Sequence, residues 1–307
     1  MRIGLGKLHT SKRALQGAHD TNGRYLEITA LHQAFEAAGH DTDLVDVESA
    51  AHYDTLFILN NEILEPWRAF SELAWYRQIT KRLVYIVTDL RLVHPVIGSQ
   101  VDAFATQSPV KCLDTTVPQF YSGMPELAVY IAENELFYSI DHSNRSNLFI
   151  FGGGDRDRKE DFDTYILQDW RNAQLYLKLL DKGVDTRVSI DKFHRALHNS
   201  KYTLIINDKS YNETGFNTWR YFESVSRDVI TFLDHKVDKY QHLPLDPETR
   251  AWLTVKDRHE LVEKMMLLEL NREQKFKIQA AQTRGLSEAM TTGTFTIEAL
   301  LGGGYSE

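Results

Sequence analysis

The chain has 307 residues, enough for two domains of ordinary size, and its 42% hydrophobic and 25% charged residues exclude a disordered polyelectrolyte. Its single cysteine, Cys112, excludes an intrachain disulfide and a cysteine metal cluster, and fits a reducing cytosol. A net charge of −8 argues against holding nucleic acid by bulk charge, so any such contact must come from a local patch.

Residues 1–5 read as a short apolar strand that opens on Gly6 and a polar, basic loop through Arg24. Lys7, Lys12 and Arg13 interrupt the start too early for the apolar core of a signal peptide. Leu26, Ala30, Phe35 and Ala38 are read as a helical pattern, and Gly39 is placed to stop that helix. Residues 42–47 and 53–59 read as strands, 67–79 as a helix, 82–87 as a buried strand and 102–106 as a further short strand. The apolar runs, such as 83–87, are strand-sized and far too short to span a bilayer, so a soluble, cytoplasmic protein with no membrane partner is expected.

A polar stretch at 141–146 separates this series from a second one. Residues 147–151 form a strand running into Gly152, Gly153 and Gly154. Behind it Phe162, Tyr165, Ile166, Trp170, Ala173, Leu177 and Leu180 recur at helical spacing, which predicts one long helix. Strands are expected at 185–189, 202–206 and 229–233, and helices at 192–198, 219–226, 259–270 and 273–284, with 302–304 a frayed tail. Alternating strands and helices predict two doubly wound, parallel-sheet α/β domains. Ligands of such sheets sit beyond the carboxyl ends of the strands, so the cleft between the domains is the expected active site.

Three constellations are able to carry chemistry. Asp89, in Val87-Thr88-Asp89-Leu90-Arg91-Leu92, stands just past a buried strand, where a carboxylate can take a proton from an attacking hydroxyl. On pattern alone, an aspartate that caps a turn or pairs with Arg91 is the commoner outcome. The loop Gly152-Gly153-Gly154-Asp155-Arg156-Asp157-Arg158-Lys159 allows close backbone approach and adds cations suited to a diphosphate, although a glycine turn with solvated charges reads the same way. It lacks both the Lys-Ser/Thr ending of a P-loop and the spacing of a dinucleotide fingerprint. Arg220 and Glu223, one helical turn apart, suit a phosphate and ribose hydroxyls respectively, or a plain intrahelical ion pair. Asp155/Asp157, Asp161/Asp163 and the His194/His198 pair imitate metal motifs and are expected on solvated surface instead.

Taken together and in order, these segments resemble the DNA β-glucosyltransferases of T-even bacteriophages. Tyr53-Asp54 leading to Asn60 is similar to the family's third strand, and the segment from Tyr85 through Asp89 to Leu92 to the one holding its catalytic aspartate. Ile150-Phe151-Gly152-Gly153 with Arg156 resembles its diphosphate loop, and the run 204–212 followed by Arg220-Tyr221-Phe222-Glu223 its donor-binding run, which includes Asp208. Arg187 falls where the family keeps a phosphate-contacting lysine. Two departures stand out: Asn207 replaces a glycine, and the second loop arginine has only Arg158 or Lys159 in its place.

The resemblance implies a GT-B fold of two Rossmann-like domains. Residues 1–143 would bind the acceptor, with a helix at about 285–302 packing back on them, and residues 144–284 would bind the nucleotide sugar. It implies a UDP-sugar donor, UDP-glucose first, and 5-hydroxymethylcytosine in duplex DNA as acceptor, with inversion at the sugar. Asp89 would be the general base. Gly153, Gly154, Arg156, Arg158, Lys159, Arg187, Asp208, Arg220 and Glu223 would hold the donor, and Mg2+ or Mn2+ can accompany it. A monomer in the cytoplasm of an infected bacterial host is expected. The acceptor base would be swung out of the duplex. Lys7, Lys12, Arg13 and Arg24, with Arg91 and with His9, His19, Arg77, Lys81 and Arg82, would contact DNA, and the same residues also suit a solvated surface. Two rival expectations are a GT-B enzyme with a non-DNA acceptor, which the acidic balance favours, and a non-catalytic protein that binds nucleotide sugar or DNA.

Overall fold

The computed structural model describes residues 1–9, 26–59, 66–87, 93, 95–106, 113, 115–121, 144–216, 219–291 and 297–302. The chain divides into two compact units, Met1–Asn134 with Met290–Glu307, and Glu135–Ala289.

The first unit carries strands β1 (Arg2–Lys7), β2 (Asp41–Val45), β3 (Tyr53–Leu59), β4 (Thr80–Val87), β5 (Ala103–Thr106) and β6 (Gln119–Tyr121). They form one sheet in the order β2-β1-β3-β4-β5-β6, and every described pairing is parallel. A parallel sheet is covered on both faces, which is why β3 and β4 are nearly continuous apolar runs. Helices α1 (Leu26–Ala37), α2 (Pro66–Tyr76) and the single turn α3 (Pro95–Gly98) lie between the strands. Phe35 of α1 stacks on Phe57 of β3 at 5.4 Å between ring centroids. Their cluster also holds Ile3, Leu5, Leu31 and Val84.

The second unit carries β7 (Asn147–Gly154), β8 (Ala173–Leu179), β9 (Val184–Asp185), β10 (Ser200–Ile205), β11 (Ile230–Asp234) and β12 (Thr254–Val255). Its sheet runs β12-β11-β10-β7-β8-β9, parallel except for the antiparallel edge pair β8/β9. Helices α4 (Lys159–Tyr165), α5 (Ile190–His198), α6 (Lys209–Thr214), α7 (Trp219–Ser226), α8 (Pro247–Leu253), α9 (Arg258–Leu270) and α10 (Arg272–Thr291) accompany it. Gly285 lets α10 sit directly on the Pro244 carbonyl, because a Cβ there would overlap that oxygen.

The long helix expected over 162–180 does not form. Helix α4 ends at Tyr165, and Ala173–Leu179 is the strand β8, paired with β7 from Phe149 to Gly154. Leu175, Leu177 and Leu179 recur with period two, which serves a strand, and Asn172 takes a left-handed φ of 56° that no helix continues through. Trp170, in the link, stacks on Phe149 at 4.3 Å instead of lining a helix.

Of the strand expected at 185–189 only Val184–Asp185 forms. Of the terminal helix expected at about 285–302, the described residues hold the end of α10 and the short α11 (Ile297–Gly302). Ile297 and Leu300 of α11 join the first unit's core beside Ile3 and Leu31, and Arg82 donates to the Leu301 carbonyl at 3.0 Å.

Candidate functional site

In the second sheet, β8 and β9 lie to one side of β7, and β10, β11 and β12 to the other. The chain therefore reverses direction across the sheet between β7 and β10, and ligands of doubly wound sheets settle beyond the carboxyl ends of strands at such a point. Six of the residues singled out from sequence follow the ends of these two strands.

Arg158 spans the gap. Its Nε donates to the Gly154 carbonyl at 2.7 Å and lies 3.3 Å from Asp208, and its Nη1 donates to the Ile206 carbonyl. The guanidinium rests over Phe162, 5.5 Å from the ring centroid. Arg158 is thus a strap joining the loop after β7 to the end of β10. Asp208, the N-cap of α6, is its anionic partner.

The three glycines are closely approached, Gly152 most tightly. A Cβ on Gly152 would come within 2.5 Å of the Phe193 ring, one on Gly153 within 3.2 Å of the Arg158 guanidinium, and one on Gly154 within 3.2 Å of the Lys178 carbonyl. Beyond them Asp155 is buried and accepts the Leu180 amide at 3.0 Å, which turns the loop outward. Arg156, at the turn, is exposed and bonds no other described residue.

Arg187 and Lys159 are engaged at the surface. Arg187 grips Asp185 through Nε at 2.9 Å and Nη2 at 2.6 Å. Those side-chain hydrogen bonds, with the Arg187 amide, hold the Asp185 carboxyl down at about 2. Lys159 lies 3.2 Å from the exposed Asp181. A pocket of about 980 Å³ opens nearby in the same unit, lined by Arg158, Lys159, Lys209, Lys236 and Arg250 among others. Its cations are largely matched by acids, as in Lys236 with Asp161, so it carries little net charge.

Helix α7 brings Arg220 and Glu223 onto one face, with Arg220 Nη1 3.1 Å from Glu223 Oε2. That contact is off the hydrogen-bond axis, and the buried Nη1 has no aligned acceptor among the described residues. The Arg220 guanidinium lies flat on Phe193 of α5, 4.2 Å from the ring centroid. The other oxygen of Glu223, Oε1, is 3.1 Å from His194 Nε2. Burial alone would raise the Glu223 pKa, but Arg220, His194 and Arg227 together outweigh it and hold the group down at about 2. Burial is also the main reason that the His194 pKa is lowered, so its imidazole is neutral at pH 7. Contrary to the solvated surface that its spacing predicts, His194 is a partly buried partner of Glu223. Phe193 carried no signal of its own beyond an apolar helix position.

In the first unit, Asp89, Arg91, Lys12, Arg13, His19 and Arg24 lie outside the described residues. Lys7, expected to touch DNA, is 2% exposed at the end of β1 and is no surface phosphate ligand in this conformation. Its place explains this, since β1 is an interior strand of a parallel sheet and is buried on both faces from Ile3 to Lys7. Arg77 pairs with Asp102 and Lys81 with Asp54, and the His9 amide donates to Glu72 at 2.8 Å. Among the described members of the expected basic patch, Arg77, Lys81 and His9 are thus matched by neighbouring carboxylates. Among the described residues no group of His, Cys, Asp and Glu is arranged to hold a metal ion, and no helix is long and apolar enough to cross a membrane.

No protein-family model and no curated protein matches the sequence. Solved structures do match the fold. A DNA-modifying β-glucosyltransferase, studied with and without uridine diphosphoglucose, superposes with a TM-score of 0.72 at 16% identity, covering 95% of both chains. T4 phage β-glucosyltransferase, in a study of its substrate binding, gives a TM-score of 0.67 at 17% identity over 95% of this chain and 96% of that one. The T4 phage enzyme in complex with UDP and Mn2+ gives 0.68 at 16% identity over the same shares. The two α/β units of this chain therefore have the GT-B fold of the phage DNA β-glucosyltransferases, as the sequence motifs led us to expect.

Proposed function

We propose that the chain is an inverting glycosyltransferase. It moves a sugar, glucose first, from a UDP-sugar to a hydroxymethylated pyrimidine in duplex DNA, with 5-hydroxymethylcytosine the leading acceptor. The observation that carries the reading is the pair at the switch point. Glu223 is buried as a carboxylate, and beside it Arg220 keeps a buried N–H without an aligned acceptor among the described residues. A buried donor left unmet costs free energy unless a ligand meets it, and a diphosphate oxygen is a fitting acceptor. The fold supports the same donor, because proteins of this fold have been crystallised with UDP-glucose and UDP.

The acceptor base leaves the duplex stack, and its hydroxymethyl oxygen attacks the anomeric carbon from the face opposite the diphosphate. The new C–O bond forms as the bond from that carbon to the phosphate oxygen breaks. The hydroxyl proton passes to Asp89, which follows β4, and UDP departs with the electron pair. Arg220 and Arg156 meet the charge that develops on the diphosphate. Arg187 contributes when it turns from Asp185, and Gly153 and Gly154 allow the loop to approach closely. Arg158, Asp208 and Lys159 act by holding that loop. Glu223 holds the ribose. Mg2+ or Mn2+, when bound, would neutralise charge on the diphosphate; among the described residues no group of His, Cys, Asp and Glu is arranged to hold it.

The test is incubation of duplexes carrying 5-hydroxymethylcytosine or 5-hydroxymethyluracil with a panel of nucleotide sugars, read by nucleoside mass spectrometry. Transfer from UDP-glucose that Asp89→Ala abolishes without changing the melting temperature is the expected result. Absence of transfer from every donor removes the DNA assignment. A second reading keeps the donor and replaces DNA by another acceptor; the charge of −8 and the pairing of Arg77 and Lys81 favour it. Donor hydrolysis without transfer to DNA would support that second reading.

A further inference from the structure

We propose that His194 is a positioning residue that fixes the Glu223 carboxylate for two vicinal ribose hydroxyls, and thereby makes the site select ribonucleotide over 2′-deoxyribonucleotide diphosphates. This rests on the reading of Glu223 as the ribose ligand.

The geometry supplies the argument. A carboxylate has two oxygens with about four acceptor positions between them. His194 Nε2 lies 3.1 Å from one oxygen of Glu223, and Arg220 Nη1 lies 3.1 Å from the other. One oxygen is thus hydrogen-bonded to His194, the other is ion-paired with Arg220 without an aligned hydrogen bond, and both keep acceptor capacity for a ligand hydroxyl. The spacing of two carboxylate oxygens matches adjacent hydroxyls on a furanose ring.

The two holders come from different directions. Arg220 is on α7 itself, one turn away, whereas His194 reaches across from α5. A single contact to Arg220 would leave the carboxylate free to rotate about its last bonds; the second contact removes that freedom. The neighbouring Phe193 does the equivalent for Arg220, with its ring 4.2 Å from the guanidinium and its edge in the notch left by Gly152. Two consecutive residues of α5 therefore seat both members of the α7 pair. Burial that disfavours the imidazolium keeps His194 as a neutral donor, whose Nε2–H faces an acceptor.

Loss of the 2′-hydroxyl would leave one buried carboxylate oxygen short of its ligand donor. One charge-assisted hydrogen bond corresponds to a factor of roughly 10 to 100 in affinity. The experiment is calorimetric titration of the full chain with UDP and with 2′-deoxy-UDP, for the wild type, Glu223→Ala, His194→Leu and His194→Gln, each checked by circular dichroism.

The wild type is expected to prefer UDP by roughly 10- to 100-fold. His194→Leu should lose that preference by weakening UDP alone, and His194→Gln, which keeps an N–H near the same place, should restore most of it. If Glu223→Ala abolishes the preference while His194→Leu keeps it, the role of His194 is overturned and that of Glu223 stands. If His194→Leu and His194→Gln weaken both ligands alike, the histidine is merely structural and the proposal is overturned. A wild type that binds no UDP, or a Glu223→Ala variant that keeps the preference, would overturn the ribose assignment and with it this proposal.

Discussion

Glu223 remains ionised in a place where burial opposes charge, because three cationic or donor groups surround it. Its folded pKa of about 2 lies below the ordinary carboxylate value, so its contribution to stability is fully present above about pH 4.5 and is lost as pH falls toward 2. The shift corresponds to roughly 3 kcal/mol at most. Glu223→Gln should therefore be less stable than the wild type at pH 7, and its denaturant midpoint should fall less steeply below pH 4.5. Urea unfolding followed at a series of pH values checks this; equal slopes would show that the carboxylate is not held charged. How much of the site could be read from the chain also differs by residue. Arg220 and Glu223 were legible because a helical turn brings them together whatever the tertiary fold. His194 was not, because its partner lies on another helix and no local pattern reports that distance. Lys7 lay between the two cases: it ends a strand that is buried on both faces, while its charge argues for the surface.

At the scale of elements, most strands and helices were legible from apolar runs and helical spacing, since parallel sheets need both. The stretch 162–180 was misread because seven apolar positions fit a helical wheel while a period-two subset, Leu175, Leu177 and Leu179, fits a strand equally well. Pairing with β7 decides between them, and pairing is not local. Short pieces such as β12 and the two-residue β9 carry too few residues for any periodicity. Packing of α10 gives a prediction of opposite sign to propensity. Alanine for glycine inside an exposed helix normally stabilises by about 1 kcal/mol. At Gly285 the new methyl meets the Pro244 carbonyl, backbone that cannot rotate away. Gly285→Ala should destabilise by about 1–3 kcal/mol, measured by chemical denaturation. Stabilisation would show that α10 does not press on that loop. Gly152→Ala meets only the edge of the Phe193 ring, which can shift, so its main effect should be on Arg220: weaker UDP binding by calorimetry, with a smaller loss of stability.

For the molecule as a whole, each unit has its own sheet and its own apolar cluster, yet one of them is not continuous in the chain. Ile297 and Leu300 lie among Ile3, Leu31 and Phe35, with Leu300 only 1% exposed. Leu300→Ala should cost about 2–5 kcal/mol of first-unit stability. Hydrogen exchange would then quicken at β1 and β3 amides and stay unchanged at β7 and β10; a uniform change would contradict the assignment of α11 to the first unit's core. The same stitching has a consequence for biosynthesis. The segment Glu135–Ala289 emerges as one uninterrupted stretch and can close its own sheet, whereas the portion translated earliest must wait for its last wedge of leucine and isoleucine. A ribosome-stalled chain ending before residue 297 is expected to resist protease across the later-made unit while remaining cleavable in the one that was made first.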